Sequence, residues 1–382
     1  MSASRGLKIR GITPRDLPGH LPSLDGIRAL AVLAVIASHL PVLLSYQHPT
    51  PWPWLNKFIA GGFLGVDVFF VLSGFLITSL LLKEHSRFGR IKLSHFFARR
   101  ALRLFPALYV LLAIEFLIAI YEKTSLSGQW NITWATVLYM NNWYFVWPSL
   151  RTGPADFQTN LGHLWSLSVE EQFYLVWPFL IYLIMKLKRV KIFLPLFIIL
   201  LIALVAIRRT MLWYDNNFYL EILIRTDARL DSLLIGALLA ICFRYIQISS
   251  KILCWAAYIS LPIFALIAYQ GPESPFFYTS GFTIVALLVF IMIYASVEQS
   301  WGINTFLGHK WLTFIGQISY GLYLWHYVVF TFLSKHFFVG PRVMRISVGL
   351  FLTFAITLFS WFMVEKPFLR LKDRRFGSAK PS

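Results

Sequence analysis

Arg28 and His39 sit eleven residues apart inside the otherwise apolar run Ser23-Leu-Asp-Gly-Ile-Arg-Ala-Leu-Ala-Val-Leu-Ala-Val-Ile-Ala-Ser-His39. At 3.6 residues per turn they share a helix face, roughly 16 Å apart. Ionisable side chains in an apolar helix are costly and mark a functional site. One sits near a membrane surface and the other deep inside, which suggests a route from one side toward a reaction centre. A second group enters with His163-Leu-Trp-Ser-Leu-Ser-Val-Glu170-Glu171-Gln172. A helix dipole accounts for one acid near a helix start but not for two beside a glutamine. Glu170 or Glu171 is therefore expected to pair with His39 in the outer half of a membrane. A carboxylate that orients an imidazole supports general-base work on a hydroxyl.

Arg99-Arg-Ala-Leu-Arg103-Leu-Phe-Pro106 places Arg100 and Arg103 three apart, on one helix face. Such a cluster is either a topology anchor or a clamp for phosphate, which guanidinium forks grip in pairs. Asp67 lies in Gly61-Gly-Phe-Leu-Gly-Val-Asp-Val-Phe-Phe-Val-Leu-Ser73-Gly74, where small residues allow close helix approach. That carboxylate either needs a structural partner, with Arg28 or His39 as candidates, or acts directly in catalysis. Arg225-Thr-Asp-Ala-Arg229-Leu-Asp231 alternates in sign, as a self-satisfied salt-bridge cluster or as a substrate contact. Ser319-Tyr320-Gly-Leu-Tyr-Leu-Trp-His326 sets hydroxyls and an imidazole among apolar residues, and Glu115 reads as a buried or protonated partner.

The elements that must position these groups are membrane helices. Of 382 residues, 58% are hydrophobic, 17% aromatic and only 14% charged, which excludes an ordinary soluble domain. The net charge of +18 punctuates apolar runs rather than forming a basic domain, so positive loops are expected and nucleic acid is not a partner. Cys242 and Cys254 lie in or beside apolar segments and imply no disulfide framework. Ten runs are long enough to cross a bilayer, at about 24–44, 60–82, 104–122, 165–186, 191–207, 229–246, 252–270, 279–297, 311–334 and 343–365. The aromatic run 131–147 reads as interfacial or re-entrant, because counting it as a span would put the Lys186–Lys191 cluster outside. The expected fold is an all-α, polytopic transmembrane bundle of about ten spans with both termini cytoplasmic. Residues 1–23 read as a basic cytosolic tail rather than a signal peptide, and 366–382 as a second one.

Several of these segments together resemble the acyltransferase-3 family of integral-membrane acyltransferases, which includes O-antigen and exopolysaccharide O-acetylases. The resemblance rests on Leu24-Asp-Gly-Ile-Arg-Ala with His39, Gly65-Val-Asp-Val-Phe-Phe-Val-Leu-Ser-Gly-Phe, Arg99-Arg-Ala-Leu-Arg-Leu-Phe-Pro and His163-Leu-Trp-Ser-Leu-Ser-Val-Glu-Glu-Gln-Phe-Tyr. It continues through Arg229-Leu-Asp-Ser-Leu-Leu-Ile-Gly, Ile318-Ser-Tyr-Gly-Leu-Tyr-Leu-Trp-His and Glu365-Lys-Pro-Phe, all in family order. It implies one acyltransferase domain over 24–365. That domain would move an acyl group, commonly acetyl, from cytosolic acyl-CoA to a hydroxyl of a bacterial surface polysaccharide or glycolipid. On this reading the protein lies in the inner membrane and needs no metal. His39 is the base, with Glu170 or Glu171 in support. Arg28, Arg100 and Arg103 hold the donor, while Asp67, Ser73, His163, Arg229, Tyr320 and His326 support the site. Some members carry an extracellular domain that finishes the transfer, so this chain is expected to act alone or with a separate acceptor-side protein. A small-molecule acceptor such as a macrolide is the alternative within the family, and a solute transporter without chemistry is the rival from another class.

Overall fold

The computed structural model describes residues 14–17, 19–44, 52–147, 159–187, 189–216, 218–337 and 340–376; the outer parts of both basic tails lie outside the described residues. Among the described residues every regular element is helical. In chain order these are α1 (Pro22–Ser38), α2 (Leu40–Leu43), α3 (Pro53–Ala60), α4 (Gly65–Phe88), α5 (Leu93–Tyr121), α6 (Leu126–Val137) and α7 (Asn141–Val146). There follow α8 (Trp165–Ile184), α9 (Val190–Asn216), α10 (Tyr219–Ile224), α11 (Thr226–Tyr245), α12 (Ser250–Ala268) and α13 (Phe282–Val297). The last are α14 (Asn304–Leu307), α15 (Lys310–Gln317), α16 (Ser319–His336), α17 (Arg342–Ser360) and α18 (Lys366–Phe376).

Among the described residues, eight helical stretches are long and apolar enough to cross a membrane. The two remaining expected runs are the helices α11 and α16. Arg229, Asp231 and Arg244 dilute the apolar character of α11, and tyrosines and histidines dilute that of α16. The protein is a multi-pass membrane protein with an all-α bundle. The 131–147 run forms two helices of 12 and 6 residues, each too short to span. They are joined through Tyr139, whose φ of 53° lies in the left-handed region.

Three expected boundaries change. The first run breaks at His39 (φ −94°, ψ −1°), because Pro41 has no N–H to give the Ala37 carbonyl. The 311–334 run divides at Ile318 into α15 and α16. The C-terminal tail does not separate at 366: the helix continues through a π-turn at Trp361–Glu365 into α18.

At the centre α4 and α11 cross with their backbones in contact. A Cβ at Gly74 would come within 1.9 Å of the Leu233 carbonyl oxygen, and one at Gly236 within 2.1 Å of that of Val71. Only glycine permits this approach. It brings Asp67 of α4 against Arg229 and Ser232 of α11. Far along α16, Lys335 and His336 tie to Glu122 just past α5. Burial alone would raise the Glu122 pKa, but the His336 hydrogen bond and the Lys335 charge hold it below the usual range.

Candidate active site

A channel of about 550 Å³ runs between α1, α4, α5, α8 and α16. Its wall includes α4 from Val66 to Lys83, so it follows that helix for roughly 25 Å. A small volume over that length makes it narrow. One end is basic, with Lys83, Arg99 and Lys372 beside Leu17 and Gly19 of the N-terminal segment. That segment is pinned down by an Arg15–Glu298 ion pair (2.5 Å) and an Arg244–Asp16 pair.

Arg28, Arg100 and Arg103 all face the channel, together with Glu170 and Glu171. Their commitments differ. Arg28 pairs with Asp25 at 3.0 Å, one turn away on α1. Arg100 donates to Glu171 at 2.8 Å and lies over the Tyr174 ring, 3.3 Å from its centroid. Glu170 accepts from the hydroxyls of Ser73 and Tyr174. Among the described residues Arg103 forms no ion pair, and it is exposed to the channel. Tyr320 also lines the wall and donates to the Leu104 carbonyl at 2.9 Å.

The opposite end of the channel is closed by Ser166 and Tyr323. The Tyr323 hydroxyl donates to the His163 carbonyl at 2.6 Å, and the Ser166 hydroxyl, 2.6 Å away, donates to it in turn. Directly behind them lies a cluster of three imidazoles. His163 packs on Tyr323 and His326 (centroids 5.5 and 5.3 Å) and stacks on Tyr327 at 4.9 Å. His326 Nε2 lies 3.2 Å from His39 Nδ1, and Tyr327 meets His39 edge-on. His163 and His326 are buried, whereas His39 is half-buried. An Arg345 side chain from α17 donates to the Leu43 carbonyl at 2.7 Å, capping the short helix that follows the break at His39.

The expected His39–carboxylate pair is therefore corrected. His163 joins the cluster through His326 and Tyr327, but Glu170 and Glu171 sit two turns further down α8, roughly 10 Å along the axis, and bond within the channel. The expected partners of Asp67 change too. Both of its oxygens accept from Arg229 at 2.9 Å, and Ser232 adds a bond of 2.8 Å. The alternating cluster splits three ways, since Arg225 pairs with Asp227 (2.9 Å) while Asp231 binds Arg209 (2.8 Å). Glu115 is buried in α5. Tyr174, Tyr323, Tyr327 and Ser166 were not singled out from sequence. The i, i+3, i+7 spacing of Tyr320, Tyr323 and Tyr327 was the available signal for a shared face. Among the described residues no three His, Cys, Asp or Glu side chains are grouped as around a metal ion.

The sequence profile described as an acyltransferase domain matches residues 21–365. The chain is 33% identical over 372 residues to the O-acetyltransferase OatA of Staphylococcus aureus, covering 94% of this chain and 59% of that protein. It is also 33% identical over 367 residues to the peptidoglycan O-acetyltransferase OatA of Listeria monocytogenes, covering 93% of this chain and 57% of that one. The chain thus spans less than two thirds of the length of these relatives. No solved structure matches it significantly.

Proposed function

The chain belongs to the acyltransferase-3 family of membrane acyltransferases, and from that premise we propose that it moves an acetyl group from acetyl-CoA to a hydroxyl of a cell-surface polysaccharide. The observation that carries this reading is one narrow channel with arginines along its wall and an imidazole cluster just past its far end. The cations at the basic mouth suit the phosphates of CoA. The narrow bore suits the unbranched arm that ends in the thioester, and Arg103 is the cation least committed to the protein itself.

His39 is the base in this reading, because it alone of the three imidazoles is not fully buried. Its ring nitrogen takes the acceptor hydroxyl proton while the oxygen forms a bond to the thioester carbonyl carbon. The C–S bond then breaks, and the leaving thiolate recovers the proton as CoA thiol. A relay in which the imidazole is first acylated uses the same lone pair. The basic end faces the cytosol and the His39 end faces outward, with both termini inside and the protein in the inner membrane. The name of the Listeria relative makes peptidoglycan the first acceptor to test.

Purified protein in lipid is expected to consume radiolabelled acetyl-CoA in the presence of acceptor. His39→Ala is expected to lower turnover at least about a hundredfold while melting at the same temperature. Loss of ester-linked acetate from surface glycan in a deletion strain would identify the acceptor class. An unchanged rate in His39→Ala, with normal expression, would sink this mechanism.

A further inference from the structure

We propose that His326 is a positioning residue that, together with the Val35 carbonyl, holds the His39 ring in place in the tautomer with its proton on Nδ1, leaving the reactive lone pair on Nε2. This rests on the reading of His39 as the base and assigns a role to the buried ring behind it.

The argument is a count of donors and acceptors. A backbone carbonyl only accepts, so an imidazole nitrogen at hydrogen-bond distance from one must carry the proton. His326 Nδ1 lies 3.0 Å from the Leu322 carbonyl, one turn back on its own helix. A neutral His326 ring is then protonated on Nδ1, and its Nε2 is an acceptor. That Nε2 lies 3.2 Å from His39 Nδ1. His39 Nδ1 is itself 3.0 Å from the Val35 carbonyl, so it too must carry its proton. The single Nδ1–H of His39 is shared between the Val35 oxygen and His326 Nε2. The reverse assignment sets a ring lone pair against a carbonyl oxygen at 3.0 Å in both residues.

Placement fits the roles. His39 stands at the helix break made by Pro41 and is half-buried. His326 is fully buried in the middle of α16 and touches no channel space. A group that fixes the tautomer of a catalytic imidazole acts without meeting substrate, and the wrong tautomer costs orders of magnitude in turnover.

The test pairs two amides of similar burial cost in the full-length protein in lipid. Gln places its terminal group near the position of Nε2, whereas Asn reaches only the position of Nδ1. His326→Gln keeps an acceptor for His39 and is expected to retain kcat within about threefold. His326→Asn keeps only the Leu322 contact and is expected to lose kcat about a hundredfold, with the KM for acetyl-CoA within about twofold. Equal kcat in the two variants would overturn the proposal, since a purely structural role predicts no difference between them. If neither variant folds, the nitrogen NMR spectrum of histidine-labelled wild-type protein decides: an unprotonated His326 Nε2 that accepts from the His39 Nδ1–H supports the proposal, and a proton on His326 Nε2 or on His39 Nε2 overturns it. A wild-type protein that transfers no acetyl group would instead remove the functional reading, and this inference with it.

Discussion

Two parts of this bundle hold arginine–carboxylate pairs inside the membrane, and they differ in what surrounds the charges. Where α4, α9 and α11 meet, Asp67–Arg229 and Asp231–Arg209 are sealed, with all four side chains at most 1% exposed. In the channel, Arg100 and Glu171 pair at the same 2.8 Å as Arg209 and Asp231, yet keep 17% and 11% of their side-chain surface. The sealed charges pair with one another, with Ser232 and Thr283, and with the Phe282 ring under Arg229. The channel charges border open space that a ligand can fill. An intramembrane charge is thus not by itself evidence of a site. Access distinguishes the two regions, and it separates architecture from chemistry within one helix: Asp67 and Ser73 both belong to α4, but only Ser73 faces the channel.

The largest expected effect lies in the sealed region. Asp67→Ala leaves the Arg229 guanidinium buried with no counter-charge, and breaking a buried pair costs about 3–5 kcal/mol. The variant should express poorly or melt well below wild type in the same lipid. Glu171→Ala also strands an arginine, but channel water can hydrate Arg100, and the loss should stay at or below about 1 kcal/mol. Equal losses in thermal melts of the two variants would break the comparison.

How far the sequence foretold this difference depends on which link of the argument is asked. The membrane runs and the helical class follow from local pattern, because apolar length is readable residue by residue. Pairing across helices is not local. The partner of Asp67 lies 162 residues away, and nothing in either segment prefers it over Arg28. The placement of Glu170 and Glu171 beside His39 treated the segment from His163 onward as one position. A helix advances 1.5 Å per residue, so seven residues carried the carboxylates from the imidazole cluster into the channel wall. Pro41 was legible as a helix breaker but lay inside an apolar run that looked continuous. The cluster of His39, His163 and His326 needed the fold, since the end of α1, the turn before α8 and the middle of α16 supply one member each.

Within the channel the comparison repeats on a smaller scale, between a committed arginine and an uncommitted one. Arg103 forms no ion pair among the described residues, so a donor phosphate would meet a guanidinium whose hydrogen-bond donors are not held by a carboxylate. A hydrogen bond to a charged group contributes about 1.5–3 kcal/mol, so Arg103→Ala should raise the KM for acetyl-CoA roughly tenfold to a hundredfold with kcat little changed. Arg100 is already held by Glu171 and the Tyr174 ring, and a donor must compete with both. Arg100→Ala should therefore raise KM by only about threefold, the residue of a contact offset by the pair it already makes. Tyr174→Phe should do less still, under about twofold in KM. It keeps the ring beneath Arg100 and removes only a hydroxyl bonded to Glu170, which the Ser73 hydroxyl continues to satisfy. Steady-state kinetics on the three purified variants would order them. If Arg100→Ala proved the most damaging to KM, the Glu171 pair would be a gate that opens for the donor rather than a fixed part of the wall.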